Sequence, residues 1–260
     1  MRLDIVIPAH NEEHRIGSTL AAYRAGCADP DCRFLVGLDN CTDATGEIVD
    51  AHAQQDARVE KFEYPKLGKG GVIMETFRHC HADLVAFVDA DCATLPNEML
   101  RLAQTAAQFD GAIASRRHPA ALLPARRSLP RRLTSAGFAY GVKRIFGLPF
   151  TDTQCGAKVL KRDVVERVLP LLSSRDLVFD VDLLLTLRAL GYRVVEVPTI
   201  WIDRDGSRVH AAADAKRMTL SLLRLWLHHR VLPVEPTGAP ADRQEVDRES
   251  TEELVTHGSP

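Results

Sequence analysis

The chain of 260 residues has no apolar run near the roughly eighteen residues that mark a membrane-spanning helix. Its start, Met1-Arg2-Leu3-Asp4-Ile5-Val6-Ile7, lacks the layout of a signal peptide and enters a strand-like segment at once. Both absences give the cytoplasm as the expected location. Six cysteines are present, but no two form a C-x-x-C pair, so neither a redox motif nor a zinc ribbon is expected. His79-Cys80-His81 has no second pair of zinc ligands at a suitable spacing and reads as a helix face. The formal net charge of −2 gives no global pull towards a polyanion, and no nucleic-acid partner is expected.

The most telling absence is local. Residues 115–150 contain no Asp or Glu but eight basic residues: Arg116, Arg117, Arg126, Arg127, Arg131, Arg132, Lys143 and Arg144. Apolar residues such as Leu122, Leu123, Leu129, Phe138, Tyr140 and Ile145 lie between them. A solvated helix face mixes signs; this segment reads instead as a basic amphipathic element facing an anion or a membrane. A second such element is expected at 215–231. There Met218, Leu222, Leu225 and Trp226 face one way, either onto a membrane surface or onto the sheet, among Lys216, Arg217, Arg224 and Arg230. Residues 233–260 are rich in Gly, Pro and acidic residues and read as a disordered tail, which leaves 1–232 as one domain.

With 45% hydrophobic and 26% charged residues, the chain has the make-up of a single α/β domain. Short apolar runs at 3–8, 34–38, 59–62, 84–88 and 112–115 read as strands; helical patterns follow at 11–26, 42–55, 69–81 and 96–109. An apolar segment at 157–160, helices at 163–172 and 179–190, and a strand at 193–200 complete the pattern. This order predicts a Rossmann-like, mainly parallel sheet flanked by helices.

Open α/β sheets bind ligands at the carboxyl ends of their strands. Asp39 ends the second strand, and Asp89-Ala90-Asp91 ends the fourth. Lys69 stands in Gly68-Lys69-Gly70-Gly71, which lacks the spacing of a P-loop but permits close backbone approach. Each feature alone fits a helix cap. Four charged groups on one edge exceed what caps need, and two carboxylates one residue apart suit Mg²⁺ or Mn²⁺ bridging a diphosphate.

These stretches, with Ile5-Val6-Ile7-Pro8-Ala9-His10-Asn11-Glu12-Glu13, Asp39-Asn40-Cys41-Thr42-Asp43, Asp152-Thr153-Gln154-Cys155-Gly156-Ala157-Lys158, Phe179-Asp180-Val181-Asp182 and Gly206-Ser207-Arg208, resemble the family-two inverting glycosyltransferases of the GT-A (nucleotide-diphospho-sugar transferase) fold. The likeness covers roughly residues 3 to 230 and is greatest to the polyprenyl-phosphate branch, which holds dolichyl-phosphate mannose synthase and dolichyl-phosphate β-glucosyltransferase. The resemblance implies a UDP- or GDP-hexose donor. It places Pro8, Ala9, Glu12, Asp39, Lys69, Gly70, Ala90 and Gln154 along the nucleotide sugar, with Asp89 and Asp91 on the metal. Arg116 and Arg208 are implied at the sugar, diphosphate or acceptor phosphate, and Asp180 and Asp182 at the acceptor. Two departures stand out: Asn40 replaces an acidic residue of the family, and Ala93 replaces the glutamine common in mannose synthases. The run from Asp89 to Thr94 leans towards the glucosyltransferases.

Departure of a nucleoside diphosphate develops negative charge, which a divalent metal and Arg or Lys stabilise. A hydroxyl acceptor needs a general base, for which Asp180 or Asp182 is the candidate. A polyprenyl phosphate is already anionic and needs none; it would be met by the basic segment at the inner face of the membrane. Transfer to a soluble hydroxyl acceptor is the alternative, and sugar-phosphate nucleotidyltransfer and non-catalytic binding of a nucleotide sugar are two further classes.

Overall fold

The computed structural model describes residues 2–123, 129–202, 218 and 220–228, and side chains are described for these except 129–136. Seven strands form one sheet: β1 (Leu3–Ala9), β2 (Cys32–Asp39), β3 (Val59–Tyr64), β4 (Leu84–Val88), β5 (Gly111–Ser115), β6 (Ala157–Lys161) and β7 (Val194–Pro198). Their order is β3-β2-β1-β4-β6-β5-β7. All pairings are parallel except those of β6, which runs against both β4 and β5. The expected mainly parallel sheet is present.

The strands are apolar on both faces because helices cover both. Ile5, Ile7, Phe34 and Val36 pack on one side with α1 (Ile16–Gly26), α2 (Thr45–Gln55) and α4 (Pro96–Gln108). Val6, Leu35, Val85 and Phe87 pack on the other with α3 (Lys69–Phe77), α5 (Leu129–Phe146), α6 (Arg162–Val168) and α7 (Phe179–Ala189).

Several helix limits differ from the periodicity. α1 begins at Ile16, not near 11, because Asn11 takes a left-handed φ of 55° and its Oδ1 accepts the Thr42 N–H at 2.8 Å instead of capping its own helix. α2 begins at Thr45, whose N–H donates to Asp43 Oδ1 at 3.1 Å. α3 ends at Phe77, so His79-Cys80-His81 is not a helix face; the His79 ring stacks on Phe62 at 4.3 Å and Cys80 is buried. The segment expected as one helix at 163–172 divides into α6 and a 3₁₀ turn, Leu169–Leu171, at Pro170.

Residues 220–228 are helical. Leu225 is buried, and Met218 and Leu222 pack against the core, so the face read as apolar packs on the domain. The helix has a second apolar stripe: Leu220, Leu223 and Leu227 are 49%, 54% and 48% exposed. No helix among the described residues is long and apolar enough to cross a membrane. Arg126, Arg127, Lys216, Arg217, Arg208 and the 233–260 tail lie outside the described residues.

Candidate active site at the carboxyl edge of the sheet

The loops after β1, β2 and β4 meet at one edge, and each turns through a non-glycine residue with left-handed φ: Asn11, Asn40 and Cys92, at 55°, 53° and 54°. Such residues are uncommon and concentrate where the surroundings enforce them, often at functional sites. The loops are laced together. The Glu12 N–H donates to Thr45 Oγ1 at 2.7 Å, the Glu13 N–H to Asp43 at 3.2 Å, and Ala44 N–H to Glu13 at 3.1 Å. The Glu12 carboxylate is held by Arg15 through two hydrogen bonds of 2.7 and 2.8 Å.

Asp39 is 4% exposed. Its Oδ1 accepts the N–H groups of Leu67 and Gly68 at 2.6 and 3.2 Å, and its Oδ2 pairs with Lys66 at 2.8 Å. Burial opposes its charge, but Lys66 and the two N–H groups hold its carboxyl below the ordinary range. Asp39 therefore fixes the loop that carries Lys69. Pro8 is half-buried at the end of β1, while Ala9 and Ala90 lie in the core.

Lys69 opens α3, after Gly68 turns the chain at a φ of +80°. The room left by Gly70 is filled by protein: a Cβ there would lie 2.4 Å from that of Phe179, so α3 and α7 meet at their starts. This contact aims the Lys69 ammonium at two carboxylates. It lies 2.8 Å from Asp89 Oδ1 and 3.7 Å from Asp180 Oδ2. Burial works against the charge, yet Asp89 and Asp180 raise the Lys69 pKa above its ordinary value.

Asp180 is 2% exposed and bonds at 2.5 Å to Lys158, itself 1% exposed on β6. Lys158 also donates to the Cys155 carbonyl at 2.8 Å, and both lysine ammoniums lie over the Phe87 ring, at 5.8 Å for Lys69 and 5.2 Å for Lys158. Asp182, two residues on, points elsewhere: it accepts the Ser173 and Ser174 N–H groups at 2.7 and 2.8 Å and the Ser173 hydroxyl at 3.0 Å. Removing these charged acceptors in Asp182→Ala should cost about 3 kcal/mol in urea unfolding while the folded fraction stays active. Complete loss of turnover in folded protein would give Asp182 a chemical role.

The segment before β6 completes the edge. Asp89 N–H donates to the Gly156 carbonyl at 3.1 Å, and a Cβ on Gly156 would lie 1.8 Å from Asp89 Oδ2. Gln154 Nε2 is buried with no hydrogen-bond partner among the described residues, a donor left over for a ligand. Arg116, after β5, grips Asp152 through two bonds of 2.6 and 2.8 Å and lies 4.9 Å from the centre of the Trp201 ring. Burial opposes its charge and Asp152 outweighs that, raising the Arg116 pKa. Sequence reasoning missed this partnership, as it missed Lys158 and Lys66. A lysine flanked by Ala157, Val159 and Leu160 inside a strand was the available signal, since a buried cation needs a partner.

Among the described residues, no three His, Cys, Asp or Glu side chains are arranged so that they could hold a metal ion by themselves. Asp89 and Asp91 are the two acidic groups a divalent cation would use. Mg²⁺ and Mn²⁺ sites of this kind take one or two carboxylates and fill the rest with water and phosphate oxygens. The Asp91 carboxyl is pushed above its ordinary range by burial and by Asp89, an arrangement that a cation relieves. The residues present fit such an ion.

Residues 4–169 match the profile of Glycosyl transferase family 2. The chain belongs to that family. It is 30% identical over 210 residues to an undecaprenyl-phosphate mannosyltransferase of Micrococcus luteus, covering 79% of this chain and 85% of that one. It is 26% identical over 240 residues to a dolichyl-phosphate β-glucosyltransferase of Dictyostelium discoideum, covering 86% and 73%. With glycosyltransferase AglD of Haloferax volcanii it shares 27% identity over 243 residues; the match takes in 90% of this chain but only 38% of that protein. Among solved structures, glucosyl-3-phosphoglycerate synthase of Mycobacterium tuberculosis, in complex with Mn²⁺, UDP and phosphoglyceric acid, superposes with a TM-score of 0.65 at 16% identity, covering 86% and 78%. That likeness establishes the GT-A fold. As a member of family 2, the chain is a glycosyltransferase, and its relatives include polyprenyl-phosphate sugar transferases.

Proposed function

We propose that this enzyme moves a hexose from a UDP- or GDP-hexose to a polyprenyl phosphate, with Mg²⁺ or Mn²⁺ on Asp89 and Asp91 and inversion at the anomeric carbon. The observation that carries the reading is the 2.8 Å ion pair of Lys69 with Asp89, with Asp91 two residues on, at the carboxyl edge of the parallel strands. When bound, the ion would neutralise the diphosphate as the sugar–phosphate bond breaks. Lys69 adds a positive charge on the same side, and Gln154 a donor with no partner among the described residues. Pro8 and the Asp39-braced loop flank the same edge and suit the nucleoside.

The state of Asp180 favours an anionic acceptor. A general base must reach its proton through hydrogen-bond contact, whereas Asp180 is enclosed between Lys158 and Lys69. A phosphate acceptor needs no base. The exposed Tyr140 and Ile145 beside Lys143 and Arg144 on α5, and the Leu220–Leu223–Leu227 stripe, suit contact with a lipid surface at the membrane. Arg116 braces the 152–156 segment through Asp152, and Arg208 would hold the acceptor phosphate.

Incubation with labelled UDP- and GDP-hexoses, Mn²⁺ and polyprenyl phosphate is expected to place label in the lipid extract. Asp91→Asn should lower this transfer roughly a hundredfold and abolish the metal-dependent part of the thermal shift with nucleotide. Transfer only to a soluble alcohol would overturn the acceptor, and pyrophosphate release from a nucleoside triphosphate would point to nucleotidyltransfer. An unchanged thermal shift would remove Asp91 from the metal.

A further inference from the structure

Five charged side chains form one cluster beneath the site. Asp89 and Asp180 are in ion pairs with Lys69 and Lys158, and Asp91, two residues from Asp89, adds a third negative charge whose field reaches Lys69, leaving a net −1 among these five. The lysines are not equivalent. Lys158 is fully buried and held by Asp180 and the Cys155 carbonyl, so it is fixed. Lys69 sits between two anions, with Asp89 Oδ1 at 2.8 Å and Asp180 Oδ2 at 3.7 Å, and its side chain is 22% exposed. At 2.8 Å the ammonium occupies the coordination space of that Asp89 oxygen.

We propose that Lys69 is a resident counter-ion that keeps Asp89 and Asp91 from capturing a divalent cation until the nucleoside diphosphate arrives. The inference rests on the metal site proposed above. A divalent cation arriving alone must compete with an ammonium already in contact with Asp89, in a cluster with only one unbalanced charge. A nucleoside diphosphate changes both conditions. Its oxygens add negative charge, and they offer Lys69 a new partner on the solvent side. Asp180, anchored by Lys158, supplies a second anion to which Lys69 can shift without losing its pairing. Metal and donor would thereby bind as a coupled pair, each favouring the other by the same factor. Lys69 acts on the metal through Asp89 and is a positioning residue for it.

The opposite signs of two effects test the assignment. Free Mn²⁺ is titrated by its electron paramagnetic resonance signal against wild-type protein, Lys69→Met and Lys69→Arg, without nucleotide and with UDP or GDP. Binding of the same nucleotides without metal is measured by calorimetry, and circular dichroism melts confirm folding. Wild type should bind Mn²⁺ at least about tenfold more tightly with the nucleotide than without, an allowance that discounts a partly exposed ion pair for screening. Lys69→Met should bind Mn²⁺ alone about tenfold more tightly than wild type, yet bind nucleotide alone more weakly. Lys69→Arg should keep the wild-type pattern, and Lys69→Gln serves in place of the methionine variant should that fail to fold. A merely structural lysine would weaken both ligands together. Unchanged or weaker Mn²⁺ binding in the neutral variants, with wild type still responding to nucleotide, overturns this inference alone. Failure of wild type to bind Mn²⁺ with either nucleotide overturns the metal reading as well.

Discussion

Replacing Gly156 by alanine is expected to lower sugar transfer roughly a hundredfold while the protein still folds. The added methyl would lie 1.8 Å from Asp89 Oδ2 and 2.2 Å from Cγ, so the carboxylate must swing away. It can do so at little cost to the fold, because the Asp89 side chain is 32% exposed. What it loses is its place opposite Lys69 and beside Asp91. A displacement of about 1 Å in such a group is enough to cost two orders of magnitude. Initial rates with saturating donor and a thermal melt separate the two effects. A folded variant with more than a tenth of the wild-type rate would show that the orientation of Asp89 matters little.

The second large effect concerns stability. Asp152→Ala leaves the Arg116 guanidinium, 13% exposed and stacked on Trp201, without its partner. Breaking a buried pair on one side costs about 3–5 kcal/mol. Replacing both members, as Arg116→Met with Asp152→Leu, should restore much of that loss, since the desolvation penalty of each charge disappears with it. Urea unfolding of wild type, Arg116→Met, Asp152→Leu and the double variant gives the coupling. The same pair sets an acid limit. Burial alone would raise the Asp152 pKa, but Arg116 reverses this and holds it below the ordinary carboxylate range. The stability it lends is complete above the unfolded value near about 3.9 and is lost as the pH falls through the lower folded value. The Asp152→Leu, Arg116→Met protein should lack this acid-induced loss.

Much of this arrangement was readable in the sequence because a parallel strand announces itself. Leu84–Val88 is a five-residue apolar run, so whatever follows it stands at a sheet edge, and Asp89 and Asp91 follow it. Asp39 was placed by the same logic after β2. Strand pairing over long distances was not readable. Lys158 meets Asp180 only because β6 turns against β4 and sets Lys158 opposite Phe87, a register that no local pattern encodes. Gly70 was expected to admit a ligand, yet the space it leaves belongs to Phe179. The helix starts were misplaced where Asn11 and Thr42 bond across loops, since a capping residue looks the same in sequence whichever helix or loop it serves. The last helix carries two apolar stripes, and periodicity singled out the one that the core already covers.

The reversed strand also bears on the order in which the molecule assembles during synthesis. β4 pairs with β1 on one edge and with β6 on the other, and β6 begins nearly seventy residues after β4 ends, from Val88 to Ala157. Until Lys161 has emerged, the first four strands form a half-sheet with an open edge at β4, and β5 has no described strand joining it to that half. An open edge is a place where other chains add on. Such distant pairing is slow, because the intervening chain must be ordered before any contact rewards it. Closure of the sheet and completion of the Asp89 pocket by Gly156 are therefore one event. A ribosome-stalled chain ending near residue 120 would carry all three loop-end carboxylates, Asp39, Asp89 and Asp91, and still lack the Gly156 wall against which Asp89 rests.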